Sequence, residues 1–210
     1  MQVNTIMVST DKYVNSLRKW AQFSLFTTSY APLFALIILK QFHNNIDFFY
    51  WGGFDLESIL CLVEKFGLST LLFLIGSYGL YGANKTLKNV EKRAINGFPV
   101  IISEVKNKSS ESINYIATYI IPFAFQTFDT WFDLVSILVI LIIIYSIFIN
   151  STLLLINPLL SFKYGLYEIE FLEDKKTKTG MVITKDKFLV ENENVKLYAI
   201  GHKMYYAIKN

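Results

Sequence analysis

Two imidazoles and one thiol are the side chains of this sequence best suited to chemistry at neutral pH: His43, His202 and Cys61. An imidazole titrates near neutrality and serves as acid, base or metal ligand, but each role needs partners at a fixed spacing. His43 falls on an expected outer loop and His202 near the carboxyl end, so no shared site follows from them. A single cysteine makes no intrachain disulfide, and the sequence has no phosphate-binding glycine loop, zinc-spaced ligand set or serine elbow. The chain is therefore expected not to be an enzyme and to carry no catalytic, cofactor-binding or metal-ligating residues.

The remaining polar signals suit helix contacts. Gly76, Gly79 and Gly82, with Ala83 four residues after Gly79, give one helix a strip without large side chains, on which a second backbone approaches closely. The spacing leaves open whether that second helix comes from the same chain or another. Asn114, Thr118, Pro122 and Gln126 recur every four residues and fall on one slowly rotating face that should avoid lipid. Such a face makes interhelical hydrogen bonds in a packed bundle, seals an oligomer interface or lines a pore.

These residues need apolar elements to carry them. Hydrophobic residues make up 53% of the 210, mean hydropathy is +0.38, and only 18% are charged and crowded into particular stretches. A water-soluble fold has nowhere to put that much apolar surface, so the bilayer must serve as part of the solvent. Hydropathy predicts four spans, at about 23–39, 66–83, 113–128 and 131–149, of which the third is short and interrupted by Pro122. Pro32 is expected to kink the first, with hydroxyls such as Thr28 and Ser29 satisfying the freed carbonyl. Glu64 and Lys65 mark the outer edge of the second, unless it begins earlier. Otherwise the spans hold no ionisable group of the kind that couples ions to transport.

Orientation follows from the cations. Lys and Arg flank the first span, fill the loop 84–111 and recur after residue 160, while 41–57 carries Asp47, Asp55 and Glu57 beside the aromatics Phe48, Phe49, Tyr50, Trp51 and Phe54. By the positive-inside bias both termini are cytoplasmic, in a multi-pass membrane protein. Residues 1–22 form a cytoplasmic lead-in, either a surface amphipathic helix or solvated chain. Residues 23–160 are the four-helix transmembrane region with its loop 84–111. Residues 161–210 alternate in short runs, 167–171, 181–184, 187–190, 195–200 and 204–208, and predict a small cytoplasmic antiparallel β domain. At that size it must lean on something, and the strand-like residues 99–105 are the candidate. The expected fold is thus a membrane all-α, four-transmembrane-helix bundle with this β domain attached.

The basic loop beside a membrane is what topology requires and anionic lipid attracts, so membrane lipid, and no direct nucleic acid, is the expected partner. A more particular pattern spans 100–184: a strand-like 100–105, a polar 107–112, Tyr115-Ile-Ala-Thr-Tyr-Ile-Ile-Pro122, then Asn157-Pro158-Leu-Leu leading into Gly165-Leu-Tyr-Glu168. With the four-helix topology, this resembles the KwaA family, the membrane subunits of the bacterial Kiwa anti-phage system. The resemblance implies a homo-oligomer, a tetramer, in the inner membrane, which senses phage-associated disturbance at the envelope. It also implies a soluble DNA-binding effector, KwaB, held on the cytoplasmic face. The expected function is a non-enzymatic sensor and scaffold. The alternatives are a small oligomeric channel or pore-forming effector, with the Asn114, Thr118 and Gln126 face lining the pathway, and a transporter accessory subunit.

Overall fold

The computed structural model describes residues 17–49, 53, 55–111, 114, 131–149, 157–173, 176–186 and 188–209. Its first element is helix α1, Lys19–Asn44, followed by a 3-10 turn at Ile46–Phe49 and helix α2, Leu56–Ala94. The side chain of Asp55 caps α2 by accepting from Ser58 N at 3.2 Å, which satisfies one of the free amides of the first turn. At 1.5 Å per residue α2 is about 58 Å long, well beyond the roughly 30 Å of a hydrocarbon core.

The two helices pack antiparallel through small residues. A Cβ on Gly79 would stand 2.7 Å from the Thr27 side chain, one on Gly82 would collide with Ser24, and one on Gly76 would touch Phe34 at 3.6 Å. Ala83 is buried on the same face. Further along, Gln41 Oε1 accepts from Ser69 N at 2.8 Å and also from its hydroxyl. Pro32 lies inside α1, yet Thr28 and Ser29 donate to Ser24 O at 2.7 Å and Leu25 O at 3.0 Å, one turn earlier than the carbonyl that proline frees. Ser24 and Thr27 back-bond in the same way, which satisfies four hydroxyls inside the helix contact. Helix α3, Trp131–Ile149, leans on α1 through Tyr145 and Phe148, whose rings meet Phe26 edge-on at 5.0 and 5.3 Å. A short helix α4, Pro158–Ser161, leads into the sheet.

The sheet is a closed barrel in the order β1-β2-β3-β5-β4, with β1 Phe98–Asn107, β2 Gly165–Glu173, β3 Lys176–Thr184, β4 Asn194–Gly201 and β5 Met204–Lys209. Strand β1 closes it by serving two neighbours. Phe98 to Ile101 pair with β4, the register shifts between Ile102 and Glu104, and the remainder pairs with β2. A bulge of this kind bends and twists a strand enough to let it change partners. The pairs are antiparallel except β3 with β5, which run parallel because the chain crosses the barrel after β3 before returning through the β4–β5 hairpin. Val100, Ile102, Ile169, Phe171, Val182, Val195 and Leu197 fill the interior. This is a five-stranded Greek-key barrel, the architecture of oligonucleotide-binding folds.

The architecture corrects the expectation of a four-transmembrane-helix bundle with a simple antiparallel β domain. Among the described residues there are four helices, of which α1 and α2 are long and apolar enough to cross a membrane; within α3 the apolar stretch Leu138–Ile149 is shorter. The expected third span, 113–128, lies outside the described residues apart from Asn114. The region 84–111 is not an open loop, because α2 continues to Ala94 and β1 follows after a tight turn. Residues 188–190 are not a strand. Hydropathy registers burial but not whether the burying surface is lipid or protein, and alternation marks a strand without naming its neighbour.

Candidate functional site

The region where helices meet barrel joins the two halves of the molecule. Leu87, Val90 and Ala94 recur at helical spacing along the last turns of α2, and all three are buried. They belong to one apolar core that contains Leu25, Tyr30 and Leu33 of α1 and also Leu160, Tyr164, Leu166, Ile183, Ile200, Met204 and Tyr206 at the near end of the barrel. Tyr164 and Tyr206 meet edge-on, 6.4 Å between centroids. Burial raises the phenol pKa of both. The core is therefore continuous from the helical hairpin into the sheet.

Polar contacts fix the angle of the joint. The Lys185 ammonium, just past β3, donates to Glu91 Oε1 of α2 at 2.5 Å, and that hydrogen bond raises the lysine pKa. Gly97 N closes a turn on Ala94 O at 2.9 Å. A Cβ on Gly97 would lie 2.6 Å from Leu197 O, so only glycine lets α2 turn directly into β1 against β4. At the start of α1, Leu17 N donates to Ile200 O at 3.2 Å and pins the helix entry to β4. Asn157 is fully buried: its Oδ1 caps α4 by accepting from Leu159 N and Leu160 N, while its Nδ2 donates to Leu25 O at 3.1 Å. One amide thereby ties the entrance of β2 to the second turn of α1.

Between α1, α2 and β4 lies a cavity of about 410 Å³ lined by Arg18, Thr86, Asn89, Val90, Arg93 and Ile200 among others. The outward face of β1 and β2 has the opposite character, with Glu104, Glu168 and Glu170 answered by Lys106, which bonds Glu104 at 3.0 Å, and Lys108, 3.6 Å from Glu168. Oligonucleotide-binding barrels carry nucleic acid on the face of their second and third strands, and Glu168 and Glu170 of β2 put negative charge beside that face, opposing phosphate.

The residues singled out from sequence do not converge. His43 is exposed in the last turn of α1, His202 is exposed in the β4–β5 turn, and Cys61 is half-buried on α2. Among the described residues no group of three or more His, Cys, Asp or Glu is placed to hold a metal ion. Glu64 and Lys65 lie within α2, which begins earlier than the predicted span, and they pair with each other at 3.8 Å. Lys65 also sits 5.1 Å above the Phe48 ring. Gly76, Gly79, Gly82 and Ala83 face α1 of the same chain. Asn114 is helical and exposed, whereas Thr118, Pro122 and Gln126 lie outside the described residues. Sequence reasoning missed Gly97, Asn157 and the Glu91–Lys185 pair. The Asn-Pro dipeptide, a helix-start signal, was the only local hint among them.

A protein-family profile described as Anti-phage protein KwaA matches residues 21–206, a stretch that runs from the first turn of α1 to β5 and includes the junction apart from Leu17 and Arg18. The chain belongs to the KwaA anti-phage family. A curated relative, Kiwa protein KwaA of Escherichia coli O55:H7 (strain RM12579 / EPEC), is 28% identical over 172 residues, covering 80% of this chain and 86% of its own length. No solved structure matches. The KwaA match spans helices and barrel alike, so the junction that couples them lies within the family's own region.

Proposed function

We propose that this protein is a non-enzymatic membrane subunit of a Kiwa anti-phage complex, a sensor and scaffold that couples the state of the envelope to a soluble partner. Its helices sit in the inner membrane as a multi-pass unit, and its barrel faces the cytoplasm with the chain termini. The observation that carries this reading is the unbroken core from α1 and α2 into the barrel. A tilt or shear of the hairpin cannot be absorbed by a flexible linker, because α2 turns into β1 through Gly97. Close-packed interiors transmit such displacements.

Charge supports the orientation. The helices are antiparallel, so Arg18 and Lys19 of α1 fall at the same end as Lys85, Lys88, Lys92 and Arg93 of α2, beside the barrel. Asp47, Asp55, Glu57 and Glu64 fall at the other. Cations concentrate on the cytoplasmic side of membrane proteins. The acidic, ion-paired face of β1 and β2 favours docking of a protein over direct contact with DNA, and the DNA-binding partner of the system, KwaB, is the occupant this reading assigns.

Co-purification of the full chain with the effector in mild detergent tests the reading. We expect recruitment to survive Phe73→Ala, on the exposed helix surface, and to be lost with Gly97→Val, which forces α2 away from β4 while leaving both halves chemically intact. Release of the protein from membranes by carbonate, or a reporter fused after Asn210 that is active only in the periplasm, would refute the membrane assignment. Effector recruitment and phage protection untouched by Gly97→Val would refute the coupling.

A further inference from the structure

The cavity beside Arg18 and Arg93 has a composition the scaffold role does not use. Two guanidinium groups, the Asn89 amide and the Thr86 hydroxyl line it above an apolar floor that includes Val90 and Ile200, and no carboxylate lines it. Neither arginine belongs to an ion pair among the described residues, although Glu91, the nearest acid along α2, is bonded to Lys185. Arg18 and Arg93 are exposed at the open side of the cleft, where their charge is available to an anion, and guanidinium forks match phosphate oxygens in pairs. The chain has fixed this geometry: Arg18 follows the Leu17 amide bonded to β4, and Arg93 stands in the last turn of a helix anchored by buried Val90 and Ala94.

Depth identifies the anion. Thr86 lies about 5 Å and Arg93 about 15 Å beyond Ala83, where the apolar run of α2 ends, while a headgroup layer extends roughly 5–8 Å from the hydrocarbon, so Thr86 stands in that layer and the long Arg93 side chain can extend back toward it. Exposed Trp20 and Tyr81 flank this level as interfacial aromatics do. We infer that the cleft binds the phosphate of an anionic lipid headgroup, gripped by Arg18 and Arg93 and oriented by Asn89 and Thr86, with the acyl chains rising along α2. This rests on the membrane assignment proposed above.

The test titrates the full chain in mild detergent with dihexanoyl phosphatidylglycerol, dihexanoyl phosphatidylcholine and inorganic phosphate, reading the thermal midpoint. The phosphatidylglycerol is expected to raise the midpoint saturably, the other two at least tenfold less effectively. Arg18→Gln with Arg93→Gln should weaken the apparent affinity at least tenfold. Arg18→Lys with Arg93→Lys, which keeps charge and fold but not the fork, should fall between. Lys88→Gln, an exposed cation outside the cleft, should change affinity less than twofold. Equal loss from Lys88→Gln would mean diffuse attraction and overturn the site, as would indifference to both double variants. Inorganic phosphate binding as tightly as the lipid would replace the lipid by a free anion and overturn the assignment. Carbonate extraction keeps the two proposals apart: a protein retained in membranes that ignores the lipid refutes the cleft alone, while a protein that washes out refutes the membrane reading.

Discussion

The helical hairpin and the barrel solve the burial problem in opposite ways. Along α2 the inward positions Leu72, Gly76, Gly79, Ala83 and Leu87 face α1, while Leu71, Phe73, Leu74 and Tyr81 stand more than half exposed on the opposite side. The barrel keeps Ile102, Ile169, Phe171, Val195 and Leu197 wholly inside and turns glutamates, lysines and threonines outward. A helix apolar on both faces is matched to lipid, whereas the predominant in-out alternation of the barrel, broken at exposed Ile101 and Leu172, is matched to water. The two share one core, and the proposed membrane assignment gives them different solvents. Even within the hairpin the helices differ: the most apolar stretch of α1 is 56% buried and that of α2 is 17% buried, since α1 is flanked by both α2 and α3.

The sharpest way to break this contrast is to remove the same side chain on each side of it. Phe171→Ala empties a site whose ring touches Tyr205 and Phe98, and unfolding of the barrel by denaturant should become easier by about 3–5 kcal/mol. Phe73→Ala removes a ring that faces outward, and in lipid its effect on the same measurement should be near zero. A comparable loss at both positions would mean that water surrounds the helices. Next in size, Gly79→Leu drives a side chain into Thr27 and should cost about 1–3 kcal/mol in thermal unfolding in detergent, separating α1 from α2 without touching the barrel interior. Asn157→Ala removes a cap and the tie to Leu25 O, which keeps its Ser29 donor, a loss of about 1–2 kcal/mol that should appear in both regions because the amide ties them together.

The smallest effect belongs to the barrel surface. The Lys209 ammonium donates to Glu193 at 2.8 Å, holding that carboxyl below its ordinary value of 4.5, and the same bond lifts Lys209 above 10.5. The contribution from Glu193 is present above pH 4.5 and disappears as pH falls through the depressed value. That from Lys209 is complete below 10.5 and disappears as pH rises through the raised one. Between these limits barrel stability should be flat with respect to this pair. On the acid side the melting midpoint should drop on the order of 1–2 °C, a drop that Glu193→Gln abolishes.

How much of this was legible in the sequence depended on the range of the signal. Apolar runs exposed the helices at 23–39 and 66–83, and alternation exposed most strands, because both are local periodicities. Residues 99–105 were flagged as the prop for the terminal strands, and β1 indeed pairs with β2 and β4. Closure of the barrel was not readable, since β1 and β2 are neighbours in space but separated by residues 108–164, and the parallel β3–β5 contact leaves no local trace. The length of α2 was underestimated because its last turns are basic outside and apolar only at Leu87, Val90 and Ala94, a stripe that hydropathy averages away. Asn157 stands in the sequence as part of the Asn-Pro pattern before the strands; its bond to the Leu25 carbonyl, far away in sequence, is a tertiary fact.

The separation of β1 from the other four strands also sets a timetable for the nascent chain. Strand β1 leaves the ribosome with both edges bare, and neither β2 nor β4 exists until the intervening residues have been made and placed. A ribosome stalled at any point before residue 194 therefore releases a polypeptide with an unsealed strand, a template for sticking to its neighbours. Synthesis of the last strands is thus a quality checkpoint: only a finished polypeptide can hide β1.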